Sequence, residues 1–219
     1  MPRLLFEKTG NDIWISHLDL MRLFQRSFKR AGLPLTHTQG FNPRPSVSIA
    51  LPLSVGVESV CELLDFDLEG DPVPLDEIKD RLNQVLVEGV QVLSVYESGL
   101  KIKHLAYLDC QVDLEYDGGV AENATEQISR LFTQPEVIVD KKGKNGITQQ
   151  NIIPMIKKLD VLQADANTVR LHAIVCCQNP TLNPAQLTAA VEKYLPELTP
   201  DFSKCKRLEI FDTNDTVFR

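Results

Sequence analysis

Residues 16–34, SHLDLMRLFQRSFKRAGLP, decide how the chain is read. Ser16 and Asp19 stand three positions apart at the head of an apolar-periodic run, the spacing of a capping box, so a helix is expected to start there. At 3.6 residues per turn Leu20, Phe24, Phe28 and Ala31 share one face, and Arg22, Arg26, Lys29 and Arg30 cluster opposite. Gly32 and Pro34 then stop the helix.

Outward from this helix, Leu4 to Lys8 reads as an opening strand. Val47, Ile49 and Leu51 mark a second strand, and Leu64, Phe66 and Leu68, alternating with Asp65, Asp67 and Glu69, a third. Ile78, Leu82 and Val85 mark a second helix, and Val90 to Tyr96 a last strand. The order is β-α-β-β-α-β, a split ferredoxin-like unit.

After a junction at 98–104 the pattern repeats. Leu108, Cys110, Val112, Leu114 and Tyr116 alternate with Asp109, Gln111, Asp113 and Glu115; Ala124, Ile128 and Leu131 give a helix face; Val137 to Val139 reads as a strand. Ile152 to Leu159 is expected to be a short extra helix broken at Pro154, followed by a strand through Val169, Leu171, Ala173 and Val175. Asn183-Pro184-Ala185-Gln186 supplies a cap, a proline at the first helical turn and a capping-box glutamine; Leu208 to Phe211 closes the order. The expected fold class is α+β, two tandem ferredoxin-like halves with antiparallel sheets, 1–100 and 101–219, the second with an insertion around 140–160.

Composition limits the function classes. With 43% hydrophobic and 24% charged residues the chain is of ordinary globular make-up, and nothing in it has the length of a membrane span or the apolar core of a signal peptide, so a cytoplasmic location is expected. Five scattered cysteines without CxxC spacing read as reduced, mostly buried thiols, and no metal site or cofactor is expected on this chain. The net charge of −7 argues against a surface that coats nucleic acid, yet residues 1–50 carry seven basic side chains against three acidic, and 51–100 two against eleven.

That segregation singles out the basic helix and the loop behind it, His37-Thr-Gln-Gly-Phe-Asn-Pro-Arg-Pro45. Its prolines fix φ and Gly40 permits a tight turn, so Arg44 is expected at a defined place. No acidic residue occurs from Arg22 to Arg44. Guanidinium groups bind phosphate bidentately, so Arg22, Arg26, Lys29, Arg30 and Arg44, with His37, Gln39, Phe41 and Asn42, form the candidate nucleic-acid site. Of these, Phe41 is expected in the core rather than as a stacking platform. Lys141, Lys142 and Lys144 form a secondary basic loop. Asp65, Asp67 and Glu69, like Asp109, Asp113 and Glu115, read as the wet face of a sheet, where carboxylates repel phosphate. Catalytic motifs are absent, His17 with His37 being the one candidate acid–base pair, so an enzyme is not expected.

Ser16-His-Leu-Asp-Leu-Met-Arg22, Arg26, Arg30-Ala-Gly-Leu-Pro34, Gln39-Gly-Phe-Asn-Pro-Arg-Pro45 and Ala50-Leu-Pro-Leu-Ser-Val-Gly-Val-Glu-Ser59 resemble the radical-SAM-linked family, a bacterial domain encoded beside or fused to a cobalamin-binding radical SAM protein. The chain has no CxxxCxxC cluster motif, so the resemblance implies an accessory partner of that protein. The tandem plan also resembles, by fold analogy, CRISPR repeat-processing endoribonucleases and pseudouridine synthases. The synthases' Arg-Thr-Asp-Ala-Gly motif has no counterpart at Thr36-His-Thr-Gln-Gly40, and the endoribonucleases' glycine-rich loop has none at Phe202-Ser-Lys-Cys-Lys206. The expectation is an accessory RNA-binding protein, with a docking module for the radical SAM partner or an endoribonuclease as alternatives.

Overall fold

The computed structural model describes residues 2–143 and 146–219, with Lys142 described through its backbone alone. The fold is α+β with antiparallel strand pairing. It divides into two compact units, one running to His104 and taking in Arg219, the other Leu105–Phe218.

The first unit runs β1 (Pro2–Lys8), α1 (His17–Arg30), β2 (Val47–Ile49), β3 (Val57–Phe66), α2 (Leu75–Asn83) and β4 (Val90–Glu97). Its strands pair antiparallel in the order β4-β1-β3-β2. The apolar face of α1 closes on this sheet: Leu20, Phe24 and Phe28 are buried with Leu4, Phe6, Leu64, Phe66, Ile78, Leu82, Val90 and Val92. Phe6 meets Phe24 edge-on at 4.8 Å between centroids, and Phe28 meets Phe66 at 5.0 Å. Burying each ring contributes on the order of 2–3 kcal/mol, which fixes the rotation of α1 about its axis.

Both ends of α1 are set by local chemistry. Lys8, fully buried, donates from Nζ to the carbonyls of Ile13 and Ile15 at 2.8 Å each, which pins the turn before the helix. Ser16 Oγ then accepts from the Asp19 N–H at 3.2 Å, and the Asp19 carboxylate accepts the Ser16 hydroxyl at 2.7 Å rather than closing on the backbone. At the far end the Leu33 N–H reaches Phe28 O (2.9 Å) and the Gly32 N–H reaches Lys29 O (3.2 Å), with Gly32 at φ +68° and Leu33 buried, a Schellman motif.

The second unit runs β5 (Leu105–Glu115), α3 (Ala124–Phe132), β6 (Ile138–Gly143), β7 (Gly146–Asn151), β8 (Ile156–Gln163), β9 (Thr168–Cys176), α4 (Ala185–Tyr194) and β10 (Phe202–Asp212). The order β10-β5-β9-β8 is antiparallel throughout, and β6 and β7 form a separate two-stranded hairpin. The cap of α4 is as its sequence predicts: Asn183 Oδ1 accepts from the Ala185 N–H and Gln186 Oε1 accepts from the Asn183 N–H, both at 3.1 Å.

Residues 152–159 depart from expectation. Only Ile153–Met155 make a 3-10 turn, and β8 starts at Ile156. A bulge between Ile156 and Lys158 breaks the two-residue alternation, so Ile152, Ile156 and Leu159 mimic a helical period. The segment expected as a strand at Val137 to Val139 is one from Ile138, but it belongs to the hairpin, where among the described residues it pairs with β7 and not with the larger sheet. The hairpin is held to α4 by the Ile138 N–H donating to Tyr194 Oη (2.9 Å) and Lys193 Nζ donating to Ile138 O (2.9 Å).

Asp65 is also misplaced by the wet-face reading. Arg3, only 1% exposed, clasps it from the neighbouring strand through Nε (2.6 Å) and Nη2 (3.1 Å). In the second unit the carboxylates of β5 find partners on adjacent strands: Asp113 pairs with the Arg170 cation (2.7 and 2.8 Å), Glu115 with the Lys204 cation (2.5 Å), and Asp109 is hydrogen-bonded to His172 Nε2 (2.6 Å). Among the described residues no three histidines, cysteines or carboxylates gather as a metal site, and no helix is long and apolar enough to cross a membrane. The five cysteines are free thiols; Cys61, Cys110 and Cys177 are buried, and burial pushes the Cys177 thiol up to about 11.

Two substitutions test the helix ends. Gly32→Ala meets open space at its new Cβ, so its cost is that of the positive φ alone, roughly 1 kcal/mol of stability. Asn183→Ala removes the α4 cap and costs about 1 kcal/mol. Urea denaturation monitored by circular dichroism reads both.

Candidate nucleic-acid interface

With its apolar face committed to the core, α1 turns its other face to solvent. Arg22, Arg26, Lys29 and Arg30 are all exposed and line one groove of about 790 Å³ with Ile15, Asp19, Leu23 and Val87. Its floor is apolar and its rim cationic. Val87 comes to the groove from the turn after α2, which is tied to the first unit's opening segment by Gly89 N–H donating to Asp12 Oδ2 and Thr9 N–H donating to Gly89 O, both at 2.8 Å.

The four cations are not equivalent. Arg22 pairs with Asp19 at 2.9 Å, both side chains well exposed, and Arg30 is committed to the Val85 carbonyl and Ser27 Oγ. Among the described residues Arg26, Lys29 and Arg44 make no ion pair, and Arg26 acts on Asp19 only through its longer-range charge. The Ser16 hydroxyl, and after it Arg22, hold the Asp19 carboxyl below the usual carboxylate range, so it is ionised at neutral pH and offsets part of the charge of Arg22. Same-sign neighbours three and four residues apart on a helix cost about 0.2–0.5 kcal/mol each, and Arg22, Arg26, Lys29 and Arg30 stand in that relation.

Lys29 also lines a second groove of about 410 Å³, with Gln25, Gly32, Pro34, Leu35, His37, Pro45 and Glu69. The helix face and the base of the loop therefore meet at Lys29. The loop is laddered at its base: His37 bridges Pro45, the Thr38 N–H donates to Arg44 O (2.8 Å), Thr38 Oγ1 accepts from the Arg44 N–H (3.0 Å), and the Ser46 N–H donates to Thr36 O (2.8 Å). Thr36 in turn holds Asp67, through its hydroxyl to the carboxylate (3.0 Å) and its N–H to the carbonyl (3.0 Å). Gln39, Phe41, Asn42 and Arg44 are exposed on the far part of this loop, outside both grooves.

Phe41 corrects a sequence expectation. It lies in no core; its relative exposure is 108%, because Gly40 at φ +133° and Pro43 carry the chain away from the body at that point. His17 and His37 are not brought together: His17 opens α1, half-buried with Nδ1 unpartnered, and His37 lies past the other end of this 14-residue helix. Lys141 is occupied by the Thr181 carbonyl at 3.3 Å, while Lys144 and the side chain of Lys142 lie outside the described residues. The apolar floor, Ile15, Leu23 and Val87, had no sequence signal beyond half-exposed aliphatic residues flanking the helix.

No curated protein matches the chain. Among solved structures it is similar to a chain in the crystal structure of a Cbf5-Nop10-Gar1 complex, with 10% identity and a TM-score of 0.51 over 95% of this chain and 48% of that one. A chain in the archaeal box H/ACA sRNP Nop10-Cbf5 complex matches at 9% identity and a TM-score of 0.48, over 94% of this chain and 46% of that one. The chain thus spans about half the length of each of these two. At such identities the first likeness concerns the fold alone. Residues 2–184 match the model of the family described as "Uncharacterized protein conserved in bacteria (DUF2344)", and that stretch, most of the 219 residues, places the chain in this family.

Proposed function

We propose that the chain is a non-catalytic RNA-binding accessory protein whose two units are tandem ferredoxin-like halves. The shared strand orders, β4-β1-β3-β2 and β10-β5-β9-β8, with the same sequence of strands and helices once the inserted β6–β7 hairpin is set aside, support the second clause. The first rests on a single observation: Arg26 and Lys29 stand exposed in one groove beside Arg22 and Arg30, with no ion pair among the described residues, in a protein of net charge −7. Clustered like charges weaken the helix that bears them, so a polyanion that offsets this repulsion on binding accounts for them.

The groove binds phosphates, with Arg22, Arg26, Lys29 and Arg30 as donors and Arg44 reaching from the loop. The sheet face of the second unit, where Asp113 and Glu115 already hold cations and Asp109 is hydrogen-bonded to His172, offers less to a phosphate. The protein on whose behalf RNA is bound is the radical SAM protein that the motif resemblance implies.

A second reading draws on the apolar floor. Ile15, Leu23 and Val87 beneath a cationic rim also suit an acidic amphipathic surface of the same radical SAM partner, with no RNA between them. Co-purification of the two proteins that survives nuclease treatment and is abolished by Leu23→Asp is the result that reading expects; dissociation of the complex on nuclease treatment excludes it.

Two predictions separate the phosphate reading from a merely solvated helix face. Arg26→Glu with Lys29→Glu abolishes RNA retention in a low-salt shift assay. In fluorescence titrations at graded salt it lowers the slope of log affinity against log salt by roughly 0.7 for each phosphate no longer neutralised; retention and slope like those of the unaltered protein reject the assignment. Asp19→Asn frees Arg22 from its partner and raises affinity by about two- to fivefold at low salt, an effect that fades as salt rises.

A further inference from the structure

The exposed ring of Phe41 remains unexplained by phosphate binding. A phenylalanine wholly in water contributes nothing to the core, and a flexible tip that happened to carry one would not need the structure beneath it. Here the loop below the ring is built: two main-chain hydrogen bonds and the Thr38 hydroxyl close its base, and Thr36 fastens that base to Asp67. Gly40 at φ +133° and Pro43 then set the course of the tip on either side of the aromatic residue. The loop leaves the body beside Lys29, the cation shared by both grooves, and its own basic residue, Arg44, makes no ion pair among the described residues.

We propose that Phe41 is a stacking platform for an unpaired base of the RNA whose phosphates lie on α1, so that the protein selects single-stranded or looped RNA over duplex. This rests on the RNA reading of the groove. The occupant follows from the chemistry of the loop: an exposed aromatic ring on a segment that also carries Arg44 and leaves the body beside Lys29 suits a planar, uncharged ring attached to an anionic backbone. A base in a duplex is stacked on its neighbours and has no face to offer, whereas a splayed base does. Asn42 and Gln39, exposed on either side of the ring, carry the amide donors and acceptors that meet a base edge. Pro43 and the closed base of the loop restrict the backbone that carries the ring, so less backbone freedom is lost when a base covers it.

The test compares a labelled oligouridylate with a blunt RNA duplex of the same length, titrated against the full chain and its variants. Phe41→Ala is expected to weaken oligouridylate binding by about five- to a hundredfold, while changing duplex binding by less than about twofold. Phe41→Trp keeps the oligouridylate affinity, because it keeps the aromatic face. Phe41→Ala that binds oligouridylate as the unaltered protein does, or that loses both ligands equally, overturns the inference and leaves the groove assignment standing. Failure of the unaltered protein to retain either RNA overturns both. Phe41 lies outside every buried cluster, so the variants fold.

Discussion

The packing of one helix against one sheet carries everything else. Phe24 and Phe28 are driven into the sheet by the free energy of burying their rings, and once they are seated, Arg22, Arg26, Lys29 and Arg30 have nowhere to point but outward. The buried Lys8 ammonium, committed to the two carbonyls at Ile13 and Ile15, and the Schellman turn at Gly32 set where that helix begins and ends. The loop that follows inherits its position from the second of these, since Leu33 is buried and Leu35 bridges Leu68. Core, helix end and loop are one mechanical chain.

Charge pairing separates the surface proposed to bind RNA from the sheet faces. Arg3 with Asp65, Arg170 with Asp113 and Lys204 with Glu115 are cross-strand pairs, in which each charge finds its opposite on a neighbouring strand, and Asp109 is hydrogen-bonded across strands to His172. The face of α1 follows another rule: its cations stand beside each other with one carboxylate, Asp19, among them. A net charge of −7 makes that patch local, which favours recognition at one place over general adhesion to nucleic acid.

Much of this was legible in the sequence, and the failures have physical causes. Helix α1, its cap, its stop and the sign of its outer face follow from periodicity and capping chemistry, as does the Asn183–Gln186 box. The bulge at Ile156/Lys158 hid an edge strand behind a helix-like spacing, because one extra residue shifts the phase of alternation. Phe41 was misjudged because hydrophobicity alone places phenylalanine inside; the two residues that decide otherwise, Gly40 and Pro43, act through the backbone. The cross-strand pairing of β5 required knowing which strand lies beside it: Arg170 and His172 alternate in β9 as the carboxylates do in β5, and register sets Arg170 directly opposite Asp113 and His172 diagonally from Asp109. The apolar floor of the groove is assembled from Ile15, Leu23 and Val87, residues too far apart in sequence to announce a site.

The most direct test of the central claim, that RNA lies along α1 and its loop, is ultraviolet crosslinking of bound RNA followed by mass-spectrometric mapping of the attached peptides. Adducts on the peptides of α1 and of the loop from His37 to Pro45 are the predicted result. Adducts confined to the strands β5 and β9, where the cations are already paired, would contradict it.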